Sequence, residues 1–294
     1  MLYLHNILGG VWFVEETFAA NYLPLVTSYL TTPIALTGHP RNALQEEERT
    51  GDNSVQFAAV KNGAYQISDY GGWSAPEDAP KNSVAIISIN GAITKYDQDC
   101  GPSGMLTKAN LLARCYAEDN IKAIVLNIDS GGGEGMGCRI LQEAISQRNK
   151  PVVAFCNDFV ASAAYGIAAS CDRVVANSTV CRIGSVGTYM TIVDASKRLE
   201  NMGVKLVEVY ATKSTDKNQE FYKAIQGDTA PLKKVCDTYN ENFISSIANA
   251  RAGVIDEDQS TWATGKMFFA PEAISLGMID EIDTFENVLN YFNT

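Results

Sequence analysis

The chain has 294 residues and a formal net charge of −11, with 46% apolar and 19% charged residues. This composition excludes an intrinsically disordered chain and is typical of a globular protein with one large core and an appendage, or with two modest domains. The negative charge and the lack of a Lys/Arg block argue against nucleic acid as a main partner, because phosphate binding requires clustered basic side chains.

The first 30 residues are apolar enough to raise the question of a signal peptide or membrane anchor. However, no Lys or Arg precedes the apolar run, and Glu15 and Glu16 interrupt it. We therefore expect no membrane anchor. Residues 1–80 are interpreted as a small N-terminal appendage, used for docking or oligomer formation, with a polar linker over residues 38–53. Residues 81–294 are expected to form the main domain.

Seven cysteines are present, an odd number at wide spacing, without a CxxC pair or a nearby histidine. They are Cys100, Cys115, Cys138, Cys156, Cys171, Cys181 and Cys236. This spacing predicts neither a disulfide framework nor a metal site. The cysteines are instead expected to be small core residues of a protein in the reducing cytoplasm.

From residue 83 onward, apolar runs typical of buried strands alternate with segments of helical spacing. The first half of this region is predicted to contain strands over 83–94, 121–129 and 151–156, which alternate with helices over 108–117, over 137–147 and from Ser162. A short strand with a glycine turn is predicted within 173–188, and a strand, a helix ending at Gly203 and a second strand within 191–211. A long helix follows over roughly 229–252, and the segment 266–282 is predicted to form a strand, a short helix ending at Gly277 and a last strand. This alternation predicts an α/β fold with a mostly parallel sheet and helices outside it.

Histidine is nearly absent, and this restricts the possible catalytic chemistry. His5 and His39 both lie in the appendage, so we expect neither a Ser-His-Asp nor a Cys-His site in the main domain. A serine hydrolase with this sequence would need another base. Lysine is the leading candidate, because burial lowers the pKa of an ammonium group.

Two segments follow predicted strands, at the sheet edge where ligand sites of α/β proteins occur. Gly131, Gly132 and Gly133 form a turn that exposes N–H groups at a helix start, which suits an oxyanion or a phosphate. Taken alone, however, the glycines more often indicate a tight strand-to-helix turn without a ligand. Neither a phosphate-loop nor a dinucleotide-binding pattern is present. Ser162 follows the strand 151–156, where it is either a helix N-cap or a nucleophile.

Four segments together resemble the signal peptide peptidase A family of serine peptidases, and within it the phage head-maturation proteases. The segments are NGAIT (90–94), NIDSGGGEGMG (127–137), FVASAAYGIAASCDRVVANSTVCRIGSVGT (159–188) and ATGKMFFAPEAISLGMIDEI (263–282). The resemblance covers residues 83 to about 285, in order and with similar spacing. It implies a Clp-protease/crotonase-like fold with repeated β-β-α units and a Ser/Lys catalytic dyad.

The resemblance also implies roles for individual residues. The family's Ala-Ser-Gly-Gly-Tyr-like segment matches residues 161–165, which makes Ser162 the nucleophile. Its Ser-Pro-Gly-Gly turn matches residues 130–133, with glycine in place of proline, which implies an oxyanion hole formed by the N–H groups of Gly132 and Ala163. The lysine follows the segment VEVYA, where Lys213 and Lys217 are both available. Lys217 is preferred because it precedes Asn and an aromatic residue, as in the family.

The resemblance further implies a ring-like homo-oligomer in which one subunit's lysine completes a neighbour's site, and an extended peptide substrate held by strand pairing. No metal or organic cofactor is required. In a phage protein the substrates would be capsid or scaffold proteins inside the prohead. In a free bacterial peptidase they would be cleaved signal peptides or misfolded membrane proteins.

Two other interpretations remain open. A crotonase-type acyl-CoA enzyme would share the fold and use a catalytic Glu at the glycine turn, for which Glu134 is suitably placed. A catalytically inactive capsid assembly protein would keep the fold alone and bind partners through residues 1–80. Ser214 and Lys217 form an SxxK pair, but the SDN and KTG motifs of penicillin-binding proteins are absent, so this pair has little weight.

Overall fold

The computed structural model describes residues 12–14, 55–61, 64–67, 75–98, 101–192, 194, 196–205 and 207–293. Both histidines, Cys100 and the predicted linker over residues 38–53 lie outside these residues.

Short and long strands alternate with helices along the described chain. The strands are β1 (Trp12–Val14), β2 (Gln56–Lys61), β3 (Ala64–Ile67), β4 (Ser83–Asn90), β5 (Ile121–Ser130), β6 (Gly132–Glu134), β7 (Val152–Ala161), β8 (Arg173–Ala176), β9 (Arg182–Gly184), β10 (Met267–Phe269) and β11 (Glu281–Ile282). The α-helices are α1 (Met105–Ala117), α2 (Gly135–Ser146), α3 (Ala163–Ala169), α4 (Ser196–Asn201), α5 (Gln219–Ile225), α6 (Ala230–Ala250), α7 (Ala270–Ser275) and α8 (Phe285–Asn290), and 3-10 turns cover Pro76–Asp78 and Gln259–Thr261.

The main sheet has the strand order β10-β9-β7-β5-β4-β2-β3, with β8 beside β7 and β11 beside β8. Strands β4, β5 and β7 run parallel at its centre, whereas β2, β3 and β10 join antiparallel at its ends. A separate two-stranded sheet pairs β1 with β6. The predicted α/β class with a mostly parallel sheet is confirmed.

Strand β5 shows why the centre of the sheet forms from this sequence. Its residues Ile124, Val125 and Leu126 are each at most 1% exposed, since an apolar layer covers both faces of the sheet. Ile124 and Leu126 belong to the core on one face, and Val125 packs on the other face in a cluster that includes Val288 and Leu289 of α8. A strand buried on both faces requires the continuous apolar run that the sequence shows.

The predicted β-β-α units are visible in the first half of the main domain. After β4, Ile93 forms a bridge to Gly133 before α1 begins. After β5, the short strand β6 precedes α2. Strand β7 turns at Asp158, whose φ is 74°, so that its first part pairs with β8 and its second part with β9 before α3 follows. The repeated arrangement brings the three strand ends to one place.

The prediction of two strands within residues 191–211 is wrong for the part of this segment that the structure describes, although the helix ending before Gly203 is present as α4. Val207 and Val209 are 72% and 89% exposed, and the residues around them are assigned to no strand. Their β-branched side chains favour extended backbone, but a strand also needs a neighbour to pair with, and the described chain offers none there.

Two strands that precede residue 81 belong to the main sheet. Strand β2 pairs antiparallel with β4, and β3 with β2, while Phe57 and Ala58 are buried in the two apolar clusters. The predicted division into residues 1–80 and 81–294 stays a prediction, and these contacts show that residues 55–67 pack with the second part.

The cysteines in the described ranges are free thiols, and all except Cys236 are buried, as predicted for core residues. Across those same ranges, no helix combines the length and the apolar character needed to cross a lipid bilayer.

Candidate active site

Ser162 lies at the junction between β7 and α3, in a backbone conformation that an L-residue rarely adopts. Its φ is 55° and its ψ is −118°, and a residue held in such a region costs of order 1–3 kcal/mol. The surrounding main chain holds it there. The Ser162 N–H donates to the Gly184 carbonyl at 2.7 Å, and the Ser162 carbonyl accepts from the Gly166 N–H at 2.9 Å. A sharp strand-to-helix turn of this kind is typical of a nucleophilic serine.

The hydroxyl of Ser162 makes no N-cap hydrogen bond, although the residue occupies the N-cap position of α3. The residue is fully buried, and within the described structure Oγ has no hydrogen-bond partner at all. Leaving a buried hydroxyl unpaired costs about 1–3 kcal/mol. The simple interpretation of Ser162 as a capping residue is therefore wrong, and its hydroxyl is kept at a cost in stability.

The glycine turn lies beside Ser162 and is held by Ser130. In the β5–β7 pairing Ser130 faces Val160, two residues before Ser162. The Ser130 Oγ donates to the Gly91 carbonyl at 2.5 Å and accepts from the Gly132 N–H at 3.1 Å. Sequence reasoning included Ser130 only as part of a motif, because hydrogen bonds to main-chain atoms of another loop leave no mark in the sequence.

Position 133 must be a glycine because the main chain of Ile93 lies too close to leave room for a side chain. The Ile93 N–H donates to the Gly132 carbonyl at 2.9 Å, and the Glu134 N–H donates to the Ile93 carbonyl at 2.8 Å. A Cβ atom at Gly133 would lie 2.0 Å from the Ile93 carbonyl oxygen. Glycine is therefore the residue that lets one edge of β6 bind the chain at Ile93.

The two predicted oxyanion donors stand in different situations. The Gly132 N–H is directed at Ser130 Oγ, so it must leave that partner, or share it, to bind a substrate oxygen. Ala163 is the first residue of α3, and its N–H has no acceptor within the helix because the first turn has no preceding carbonyl to use. The assignment of both donors stays a prediction.

Helix α3 is positioned by two buried neutral side chains. The Cys138 Sγ donates to the Ala163 carbonyl at 3.3 Å, and burial raises the pKa of this thiol to about 12. The Tyr165 hydroxyl donates to the Met278 carbonyl at 2.9 Å, and burial raises its pKa above the usual value. Both groups are protonated at neutral pH, so they fix the helix without adding charge to the site.

Neither predicted lysine lies at Ser162. Lys213 and Lys217 are both exposed, on the segment that follows the unpaired residues around Val209. Lys217 lines a groove with Tyr210 and Ser214, and no residue of α3 contributes to that groove. The structure of the single chain thus separates the nucleophile from both candidate bases, and the dyad stays a prediction.

Glu134, the candidate for an acyl-CoA enzyme, is already engaged. Its Oε2 accepts the main-chain N–H of Lys95 at 2.8 Å, which ties the loop after β4 to the end of β6. This structural contact weighs against a catalytic role for the carboxylate.

A strained serine between a strand and a helix, next to a glycine turn in an α/β fold, is an arrangement typical of serine hydrolases. The comparison with protein families makes this more specific: the chain belongs to peptidase family S49, whose model matches residues 144–294. The resemblance to the signal peptide peptidase A family of serine peptidases is therefore confirmed.

Relatives with curated names are identical to this chain at about a quarter of the aligned positions. It is 23% identical over 216 residues to Protease 4 of Haemophilus influenzae, covering 71% of this chain and 34% of that protein. It is 25% identical over 221 residues to the head-tail preconnector protein GP5 of Enterobacteria phage P21, covering 72% of this chain and 43% of that protein. The chain thus spans less than half the length of either relative.

Among solved structures, a ClpP1 mutant from Listeria monocytogenes matches with a TM-score of 0.44 and 16% identity, over 69% of this chain and 94% of that one.

Proposed function

We propose that this chain is a serine endopeptidase with Ser162 as its nucleophile. The observation that carries the proposal is the buried, unpaired hydroxyl of Ser162, held in a strained turn beside the glycine turn. Strain and an unsatisfied polar group both lower stability, and such features concentrate at functional sites. Membership of peptidase family S49 supports the same reaction.

The reaction proceeds through an acyl-enzyme. Ser162 Oγ attacks the scissile carbonyl while a neutral lysine amine accepts its proton. The same lysine returns the proton to the leaving amine, so that the peptide bond breaks and an ester to Ser162 remains. Water then hydrolyses the ester with the lysine again as base. The N–H groups of Gly132 and Ala163 stabilise the oxyanion, each contributing about 3 kcal/mol by analogy with measured oxyanion holes.

The base is Lys217, with Lys213 as the alternative, and it acts in an oligomer. Both ammonium groups are exposed in the single chain, whereas Ser162 is fully buried. A lysine becomes a base near neutral pH only when burial lowers its pKa. Packing against a neighbouring subunit would bury the segment that holds both lysines. The exposed Val207 and Val209 just before them are apolar surface that such packing would cover.

The substrates we propose are phage capsid or scaffold proteins, cleaved as a prohead matures. The similarity to the head-tail preconnector protein of phage P21 supports this choice. The alternative, degradation of cleaved signal peptides in a bacterium, has the similarity to Protease 4 in its favour. Mass spectrometry of proheads assembled with the wild-type chain or with Ser162→Ala separates the two, because processed capsid proteins would appear only with the wild type.

The basic test is hydrolysis of a library of unstructured fluorogenic peptides. Ser162→Ala should abolish hydrolysis. Ser170→Ala is the matched control, because Ser170 caps the other end of α3 and its Oγ donates to the Gly166 carbonyl at 3.0 Å. This control should retain hydrolysis. Full activity in Ser162→Ala would refute the assignment, and inactivity of a folded wild-type oligomer would favour the assembly protein.

A further inference from the structure

The short strand β6 has one edge that can accept another strand. Gly132 and Glu134 direct their bonding groups to Ile93 on one side, through the Gly132 carbonyl and the Glu134 N–H. Successive residues of a strand point these groups to opposite sides. The N–H and carbonyl of Gly133, between them, therefore point to the other edge, which is the edge available for adding a strand.

Strand β1 lies on that edge. It runs antiparallel to β6, with Trp12 opposite Glu134, Phe13 opposite Gly133 and Val14 opposite Gly132. The main chain of Phe13 is thus the part of β1 that faces the bonding groups of Gly133. Pairing of an extended segment with an exposed strand edge is the way many proteins bind peptides, with main-chain hydrogen bonds supplying affinity.

A substrate peptide and β1 cannot use this edge together. Strand β6 belongs to the turn beside Ser162, so a peptide paired with it would pass close to the nucleophile. Ser162 is fully buried in the structure in which β1 is paired. A peptide bond must reach Oγ to be cleaved, and some part of the chain must move before it does.

We propose that the strand Trp12–Val14 occupies the substrate's place on β6 and acts as an inhibitor built into the same chain. The proposal rests on the proposed peptidase function for its consequence, since displacement of β1 would open the site. The extended peptide substrate of the proposed function must therefore compete with β1 for the edge at Gly133. Because β1 is tethered, it competes at a high effective concentration.

Two proline substitutions in the full chain test the proposal. Phe13→Pro removes the N–H that faces β6, whereas Val14→Pro removes one that points away from it, which an edge strand tolerates. We expect Phe13→Pro to raise kcat/KM for an extended peptide about tenfold. This is the factor expected if β1 leaves only about a tenth of the wild-type sites open and the substitution opens all of them. Val14→Pro should stay within about twofold of the wild type. Equal rates in all three proteins would overturn the proposal.

A binding measurement separates this proposal from the proposed function. In the Ser162→Ala background, which removes the nucleophile, a fluorescent peptide of residues 9–17 should bind about tenfold more tightly when Phe13→Pro is also present. Equal affinity would overturn the inhibitor proposal whatever the catalytic result. Tighter binding without hydrolysis in any Ser162-containing variant would support β1 as a competitor and count against the peptidase.

The peptide itself provides a readout that does not depend on folding of the Phe13→Pro protein. Added to the Ser162→Ala protein, the 9–17 peptide methylated on the nitrogen of Phe13 should compete poorly with its unmodified form. Methylation on the nitrogen of Val14 should leave competition unchanged, since that N–H points away from β6. Equal competition by both methylated peptides would overturn the proposed register.

Discussion

The main-chain N–H of Ser162 donates to the carbonyl oxygen of Gly184 at 2.7 Å, and this bond joins the end of β7 to β9. Gly184 itself lies at a φ of 130°, and a Cβ atom there would be 2.6 Å from the carbonyl oxygen of Lys266. The position of the nucleophile thus depends on a glycine two strands later that the motif-based reasoning did not single out.

Gly184→Ala should therefore impair both folding and catalysis. The added methyl group forces β9 away from Lys266, and with it the carbonyl that holds Ser162. We expect a loss of about 2 kcal/mol in the free energy of unfolding and a fall of at least about tenfold in peptide hydrolysis. Urea denaturation and initial rates measure the two effects.

Gly203→Ala is the matched control for this substitution. Gly203 also has a positive φ, 73°, but a Cβ atom there would meet nothing within 4 Å. It should cost stability through backbone strain alone and leave the rate per folded molecule unchanged. An equal loss of activity in both variants would show that backbone strain in general, rather than the contact to Ser162, controls the rate.

Ser162→Ala should leave the protein at least as stable as the wild type. The hydroxyl is buried and unpaired, so its removal eliminates a desolvation penalty of about 1–3 kcal/mol. Ser170→Ala, by contrast, removes a hydrogen bond that is made, and should lower the free energy of unfolding by about 1 kcal/mol. If chemical denaturation shows Ser162→Ala to be the less stable variant, the hydroxyl has a stabilising partner in solution.

The lysine prediction is tested by mixing two inactive variants. Lys217→Ala should abolish peptide hydrolysis, and Lys213→Ala should retain it. If a neighbouring subunit supplies the base, subunits carrying Ser162→Ala and subunits carrying Lys217→Ala should regain activity when they assemble together, because some sites then combine an intact serine with an intact lysine.

Absence of recovery in mixed oligomers of known composition would place the lysine in the same subunit as its serine. Full activity of both single lysine variants would contradict the Ser/Lys dyad.

The ion pair between Arg251 and Asp280 predicts a loss of stability in acid. Burial alone would raise the pKa of Asp280, but hydrogen bonds from Arg251 and from the Val174 N–H outweigh it, and the pKa is lowered. Because the pKa of Asp280 is lower in the folded state than in the unfolded state, its ionised carboxylate stabilises the fold at any pH above the pKa of the unfolded state, about 4. This contribution disappears as the pH falls through the pKa of the folded state. The wild type should therefore lose stability below about pH 4.

Asp280→Asn should flatten this acid dependence and cost about 3 kcal/mol at neutral pH. The cost arises because Arg251, 5% exposed, loses its counter-charge. Glu77→Gln is the control, since Glu77 pairs with Arg114 on the surface, where solvent screens the charges. Thermal unfolding from pH 3 to 7 measures both variants, and parallel curves for Asp280→Asn and the wild type would contradict the assignment.

The elements that the sequence predicted well are those whose signal is local. Ile124, Val125 and Leu126 form an uninterrupted apolar run that requires burial on both faces. The long helix predicted over roughly 229–252 is observed as α6, Ala230–Ala250. The segment around Val209 has the composition of a strand, yet strand formation depends on a partner, and composition does not report one.

The features that the sequence could not predict depend on contacts between distant residues. The three-residue strands β1 and β6 are too short for a periodic pattern, and their pairing joins residues more than 100 positions apart. Ser162 could be placed at a strand end from the order of elements. Its unpaired hydroxyl, the bonds of Ser130 and the exposure of both lysines became evident only in three dimensions.

The most direct test of the central claim is to find where an active-site-directed fluorophosphonate attaches. The assembled wild-type protein is treated with the probe, digested and mapped by mass spectrometry. We predict a single adduct on Ser162, formed equally in Ser170→Ala and absent in Ser162→Ala. An adduct on a different serine would contradict Ser162 as the nucleophile. The absence of any adduct on a folded Phe13→Pro oligomer, in which β1 is displaced, would contradict it as well.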